Sequence, residues 1–145
     1  MKRFSTVFLA SLVGLGLIVG CGEGSRPQTR NRGDVRVVLP ESSAEPTRSA
    51  SHDFGSISAG TSKVITLKLR NVGPDDVAIT GTRFENAPTG AFFALPPSMI
   101  ESDGGEGSLT LTFSPPSAGD YSGELIIEHS GESLSSSVTL TGKGI

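Results

Sequence analysis

Cys21 has the clearest chemistry in this chain, and it is the only cysteine among the 145 residues. It follows a positive pair, Lys2 and Arg3, and an apolar stretch from Val7 to Gly20. A charged start, a short apolar stretch and a small residue before a cleavage point are typical of a secretory signal. A thiol is also the most nucleophilic side chain for thioether formation. We therefore predict an exported protein with a reactive thiol at the end of its signal.

Ile18-Val19-Gly20-Cys21 resembles the lipobox of bacterial lipoproteins, although leucine is commoner in that family at the position of Ile18. The resemblance implies cleavage between Gly20 and Cys21, a diacylglycerol on the Cys21 sulfur and acylation, as with palmitate, of the new N-terminus. Two or more acyl chains anchor a protein firmly, since each buried methylene contributes about 0.8 kcal/mol. Gly22 is not the aspartate that retains some lipoproteins in an inner membrane. We therefore expect a lipid anchor, with the outer membrane favoured.

Two other interpretations of this segment are an uncleaved membrane helix and an ordinary signal followed by a chance cysteine. The stretch from Val7 to Gly20 has 14 residues, whereas a spanning helix needs about 20. The lipid anchor is therefore the favoured interpretation.

Candidates for metal binding and catalysis are few. His52 and His129 are the only histidines. A copper site would need a cysteine thiolate, and the only cysteine is the predicted lipid carrier. A zinc site would need a third ligand such as Asp53 or Glu128, and the spacing of these residues is not that of a zinc site. No serine lies in a Gly-x-Ser-x-Gly elbow. We interpret both histidines as surface residues and expect no catalytic residue, no metal and no cofactor.

Another interpretation is a loose calcium site at Glu101, Asp103 and Glu106, which flank a pair of glycines. The spacing is not that of a regular calcium loop. A solvated turn is the favoured interpretation.

The charge of the chain is negative and uneven. Without Lys2 and Arg3, ten basic residues face 15 acidic ones, which is a net charge of −5. Residues 49–145 contain five basic and eleven acidic residues. An acidic domain without a basic patch repels phosphates, so we expect no nucleic-acid partner.

The elements that would position these residues are strands, because apolar and polar residues alternate from Ser51 onward. The clearest runs are residues 65–69, 109–113, 121–127 and 138–140. Turns rich in glycine, proline and aspartate separate them. About seven short strands with such turns predict an all-β fold, an antiparallel β-sandwich.

The chain divides into three parts on this basis. Residues 1–20 are the predicted signal peptide, residues 21–48 a lipidated flexible tether, and residues 49–145 one domain. The run from Val35 to Leu39 interrupts the tether with strand-forming residues. The sequence leaves open whether that run joins the sandwich.

The domain resembles the ASH domain, named for abnormal spindle, SPD-2 and hydin proteins, and the related bacterial choice-of-anchor D repeats. The residues that carry the resemblance are Phe54, Gly55, Gly60, Asn71, Gly73, Phe113, Pro115, Gly119, Tyr121, Gly142 and Gly144. The family fold is an immunoglobulin-like sandwich akin to the major sperm protein and the pilus chaperones. Its members are mostly interaction or scaffold modules, often in tandem, whereas this chain has one copy.

Some of these residues also have a structural explanation. We expect Phe54 to fill the core, and the Tyr121 hydroxyl to bond nearby backbone, as in the tyrosine corner of sandwich domains. The glycines fall at turns or strand ends, where positive φ or close approach is needed.

The predicted function is that of a lipid-anchored, non-catalytic binding or scaffold module with an envelope or extracellular protein or glycan partner. Strand addition at an edge near the Ser/Thr-rich residues 133–141 is one way to bind it. The alternatives are a chaperone-like, subunit-binding periplasmic lipoprotein and a small metal-binding or enzymatic lipoprotein.

Overall fold

The computed structural model describes residues 32–40 and 45–145. Nine strands occur in this part of the chain, and no helix in it has the length and apolarity to cross a membrane. The strands are β1 (Val35–Val38), β2 (Ser49–Ile57), β3 (Lys63–Asn71), β4 (Val77–Glu85), β5 (Phe92–Leu95), β6 (Met99–Ile100), β7 (Glu106–Phe113), β8 (Gly119–His129) and β9 (Ser135–Gly144).

Two sheets form the predicted sandwich. One has four strands in the order β1-β3-β7-β5, and the other has five in the order β2-β9-β8-β4-β6. All neighbouring strands are antiparallel except β2 and β9, which pair in parallel. The all-β, immunoglobulin-like class is confirmed, with nine strands where about seven were predicted.

The period of two explains which side chains fill the core. On β7, Leu109, Leu111 and Phe113 are buried, whereas Thr110 and Thr112 are not. The other strands contribute in the same way, and the largest buried side chains also include Phe54, Leu67, Leu69, Ile100, Leu125, Ile127 and Leu140. The core is aliphatic and phenylalanine, as the absence of tryptophan requires.

The run Val35–Val38, left open by the sequence, is part of the sandwich. It pairs antiparallel with β3, from Val35 opposite Asn71 to Val38 opposite Lys68. Val35 and Val37 are buried in the core. The folded unit therefore begins well before Ser49, and residues 35–38 are a strand of the domain and not part of a flexible tether. The physical reason is that transferring two valine side chains from water into the core is favourable.

The loops divide between two ends of the sandwich. At one end, Gly33 and the turns after β3, β6 and β8 meet: the Gly33 carbonyl accepts from Glu132 N–H (2.9 Å), and Asn71 contacts Glu101. At the other end, the C-terminal Ile145 accepts from Ala59 N–H at 2.8 Å. The chain thus enters the domain and leaves it at opposite ends.

Candidate binding surface

Two predicted site residues, Gly20 and Cys21, lie outside the described residues. The signal cleavage and lipidation predicted there stay predictions. The remaining predicted residues all lie in or beside the sandwich.

Asp34 is the buried charge that fastens β1 to the rest of the domain. Its side chain is 5% exposed, and Oδ2 lies 3.0 Å from Arg48 Nη2 and 3.3 Å from Arg36 Nε. Oδ1 accepts hydrogen bonds from the backbone N–H and the hydroxyl of Ser133. Burial alone would raise the pKa of Asp34, but the hydrogen bonds from Ser133 and Arg48 together lower it. Sequence reasoning missed this cluster, because its members lie up to 99 residues apart.

Asn71, one of the family-motif residues, closes the same end of the sandwich. Its side chain is fully buried. The amide oxygen accepts from the N–H of Asp34 and of Gly73, both at 3.1 Å. The amide nitrogen donates to the carbonyls of Asp75 (2.7 Å) and Glu101 (3.1 Å). One side chain therefore satisfies backbone groups from three segments, which is a structural role.

His129 is buried, and the prediction of a surface histidine is wrong for it. The residue is 3% exposed. It shares the inward parity of Leu125 and Ile127 on β8, a signal that the sequence contained. Burial lowers the pKa of its imidazole, outweighing the nearby Asp34 carboxylate, which raises it.

The hydrogen bonds of His129 assign its tautomer. Nδ1 accepts from the Gly131 N–H at 3.2 Å. Nε2 lies 3.3 Å from the Ser136 hydroxyl, which itself donates to the Val35 carbonyl at 2.7 Å. Since the one hydroxyl proton is used for Val35, Nε2 carries a proton and donates it to Ser136. The neutral imidazole thus helps to hold β1, and it has no lone pair facing solvent for a metal.

His52 lies half-buried on β2, with its ring edge-on to Phe54 at 4.9 Å between centroids. Its neighbour Asp53 is exposed and accepts a hydrogen bond from the Gly55 N–H at 2.9 Å. Glu128, the other suggested zinc ligand, accepts from Arg83 Nε at 3.0 Å. No group of three His, Cys, Asp or Glu side chains is placed to hold a metal within residues 32–40 and 45–145.

The suggested calcium residues are not gathered around one point either. Glu106 is on β7 and forms an ion pair with Lys68 at 3.0 Å. Asp103 is exposed in the preceding turn with φ of 54°, and Glu101 uses its backbone carbonyl to accept from Asn71.

The aromatic family-motif residues form one cluster in the core. The Phe113 ring lies 5.2 Å from Phe54, 5.0 Å from Phe92 and 5.6 Å from Tyr121 between centroids. Gly142 lies beneath it, where a Cβ atom would come within 2.6 Å of Phe113 Cε1. The family motif thus marks the packing between the two sheets.

Tyr121 forms the predicted tyrosine corner. Its hydroxyl donates to the Ser117 carbonyl at 3.0 Å and lies 3.3 Å from the Ser117 N–H, which donates to it. The structural role expected for this tyrosine is confirmed.

The edges open to a partner are not where the sequence suggested. The Ser/Thr-rich residues belong to β9, which lies between β2 and β8 and therefore has no open edge. The outermost strands are β2 and β6 in one sheet and β1 and β5 in the other. The prediction of strand addition along β9 is wrong, because β2 already occupies that side.

The two outer faces of the sandwich differ in character. The large apolar side chains exposed on strands are Val64 (58%), Phe93 (55%), Leu95 (71%) and Met99 (55%), and none of these lies on β2, β4, β8 or β9 within the described residues. Val64, Phe93 and Leu95 belong to the four-stranded sheet, where Thr112 separates Val64 from Phe93 in one cross-strand row. We call Phe93, Leu95 and the open backbone edge of their strand the β5 surface.

Comparison with known proteins identifies the domain. The model of the HYDIN/CFA65/VesB-like, Ig-like domain family matches residues 48–144, which is more than half of the chain. The chain belongs to this family. No curated protein matches the sequence.

Solved structures share the fold of this Ig-like domain at low sequence identity. The ASH/PapD-like domain 7 of human CEP192 matches with a TM-score of 0.55 and 19% identity, over 99% of this chain and 98% of that one. A protein from Porphyromonas gingivalis W83 matches with a TM-score of 0.60 and 15% identity, over 79% of this chain and 49% of that one. The VesB protease of Vibrio cholerae matches with a TM-score of 0.52 and 13% identity, over 78% of this chain and 32% of that one.

This chain therefore spans about half the length of the Porphyromonas protein and a third of VesB. The resemblance expected from the sequence is confirmed for the Ig-like domain. Such domains are typically non-catalytic, and VesB shows that one also occurs within a protease chain.

Proposed function

We propose that this protein is a lipid-anchored module of the bacterial cell envelope, whose Ig-like domain binds an envelope or extracellular partner without catalysis. The observation that carries the binding role is the contrast between polar and apolar side chains. The buried polar groups Asp34, Asn71 and His129 are used to hold strands and turns. Apolar side chains, by contrast, are left exposed on one outer face. An apolar, exposed face suits binding better than chemistry.

The anchor rests on the lipobox resemblance, and the fold gives it a geometric consequence. Thirteen residues lie between Cys21 and Val35 at the start of β1, so fourteen Cα–Cα steps join the two. Fully extended, they span about 45–50 Å, well short of the reach of a tether that ended at Ser49. Lipid on Cys21 would keep the Asp34 end of the sandwich within that distance of the membrane. The loops at residues 58–62, 86–91 and 114–118 would then face away from it.

Holding a binding module near a membrane raises its effective concentration for partners in the same envelope. Gly22 after the cysteine favours the outer membrane for this anchor. The chaperone-like alternative has weaker support, since the domain is acidic, whereas pilus chaperones use a basic anchor for their client.

The anchor is tested by labelling cells with radioactive palmitate. We expect label in the parent chain and none in Cys21→Ser, which should leave the membrane fraction. Failure of the parent chain to incorporate label would contradict the anchor. The binding role is tested by cross-linking in the native envelope followed by mass spectrometry, with recovery of a protein or glycan neighbour expected. Recovery of no neighbour from correctly anchored protein would contradict the binding role.

A further inference from the structure

The edge strand β5 has an unused row of backbone groups. The Ser114 N–H donates to the Ala91 carbonyl at 2.8 Å, and Phe92 lies opposite Phe113 in the ladder with β7. Successive residues of an antiparallel strand direct their backbone N–H and C=O groups to opposite sides. The backbone groups of Phe93 and Leu95 therefore point toward β7. Ala94 therefore directs its N–H and C=O outward, and no strand among the described residues pairs with β5 on that side.

The side chains beside this edge are apolar. Phe93 and Leu95 flank Ala94 on the outer face and are 55% and 71% exposed. An open strand edge with exposed apolar side chains favours pairing with another strand. Natural edges are usually protected by charges, and β5 has none.

The absence of charge extends well beyond β5. From Ala87 to Ile100, fourteen consecutive residues contain no Asp, Glu, Lys or Arg. Residues 49–145 as a whole have five basic and eleven acidic residues, so two copies repel each other over most of their surface. Of the other outermost strands, β2 carries Asp53, β1 carries Arg36, and β6 is uncharged but only two residues long. Among the edges longer than two residues, a second copy therefore meets the least repulsion at β5.

The strand is also complementary to itself. A two-fold axis through Ala94 places Ala94 of one copy opposite Ala94 of the other, with two N–H···O bonds between them. The same axis places Phe93 opposite Leu95 of the second copy on the outer face, twice, and such apolar pairs stabilise adjacent strands. Pro96 and Pro97 follow Leu95 and lack an N–H, which disfavours a slipped register.

We propose that β5 is a self-association edge, at which two copies of this chain pair antiparallel about Ala94 and join their four-stranded sheets into one continuous sheet. The interface is isologous, so it covers the β5 edge of each copy, and association through β5 stops at a dimer. This inference does not require lipid on Cys21, but it assigns Phe93 and Leu95, part of the exposed apolar face in the proposed function, to a second copy of the chain.

The test is sedimentation of the full-length protein in detergent across a range of concentrations. The parent protein should show a dimer whose fraction rises with concentration. Leu95→Asp should weaken dimerisation at least about tenfold, since it buries a carboxylate beside an apolar ring. Ala94→Pro should do the same by removing the outward N–H, while the fold tolerates proline there because that N–H bonds nothing in the ladder.

The matched control is Val64→Asp, which adds the same charge at a comparably exposed position of the same outer face (58%) but on β3, away from the edge. It should dimerise like the parent, and circular dichroism should show all variants folded. If Ala94→Pro does not fold, the proposal is tested by comparing dimerisation of Leu95→Asp with that of Val64→Asp. A parent protein that stays monomeric at every concentration would overturn the proposal. So would a dimer unchanged by Leu95→Asp, or equal loss in Val64→Asp.

Discussion

Asp34 accepts two hydrogen bonds from Ser133, a residue 99 positions further along the chain. The pair joins the start of β1 to the turn between β8 and β9. With Arg48 on the other carboxylate oxygen, it holds the first strand of the sandwich against the last turn, next to the end from which a lipid-anchored chain would emerge.

Asp34→Ala should lower the free energy of unfolding by about 1–3 kcal/mol, because it leaves the half-buried donors of Ser133 without an acceptor. Guanidinium denaturation measures this. Asp120→Ala is the control, since that aspartate is exposed and outside any ion pair of the described residues. The lowered pKa of Asp34 gives its contribution a pH dependence: it is present above the ordinary value of 3.8 and is lost as the pH falls through the lowered pKa. Equal stability of Asp34→Ala and Asp120→Ala would contradict the role given to Asp34.

His129 should make the domain sensitive to mild acid. Burial lowers the pKa of its imidazole from the ordinary 6.5, so the unfolded chain takes up a proton at a higher pH than the folded one. Stability is therefore full above about pH 6.5 and falls as the pH drops from there through the lowered pKa. Protonation would also turn Nδ1 into a donor facing the Gly131 N–H.

Thermal melts between pH 8 and 5 measure this dependence. We expect the decline in Tm below pH 6.5 to be smaller in His129→Gln, which cannot titrate. Ser136→Ala keeps the histidine but removes its hydroxyl partner, and should lower Tm at every pH. An unchanged decline in His129→Gln would assign the acid sensitivity to another group.

Gly142→Ala should destabilise the domain by about 1–3 kcal/mol, because the added methyl would overlap the buried Phe113 ring. Gly81→Ala is a matched control in another strand of the same sheet, where the methyl would lie 3.4 Å from the flexible end of Glu128. Denaturation of both variants gives the comparison. Similar losses at the two positions would mean that contact with Phe113 is not the cause.

Tyr121→Phe should lower the free energy of unfolding by about 1–2 kcal/mol. It removes the hydrogen bonds of the hydroxyl with the Ser117 carbonyl and N–H, while the ring stays packed against Phe113. Ser117→Ala should cost less, because the backbone groups of residue 117 still reach the tyrosine hydroxyl. Equilibrium unfolding of the two variants ranks them, and the reverse order would show that the serine hydroxyl, at 3.1 Å from the tyrosine, carries the interaction.

Local pattern in the sequence was enough to predict the sandwich and most of its core, whereas the family was predicted from the resemblance that residues such as Phe54 and Gly142 carry. Alternation along β3, β7, β8 and β9 places apolar side chains on one face of each strand, and this follows from the period of two whatever the partner strand is. The Tyr121 corner was predictable for a similar reason, since hydroxyl and backbone are only four residues apart. The position of His129 two residues after Ile127 also predicts an inward side chain. The surface position was predicted from the polarity of histidine instead, and that prediction was wrong.

Pairing across the molecule was decided only by the tertiary structure. Alternation cannot say that β2 covers β9, that Val35–Val38 joins β3, or that β5 is left at an edge, because strand order depends on contacts between residues far apart in the chain. The burial of Asp34 has the same origin, since its partners come from three separate segments. The sequence by itself determined which side chains turn inward, and it predicts Cys21 as the residue that would carry a lipid. The fold determined which edge is left for a partner, because an edge is open only when no other strand of the chain reaches it.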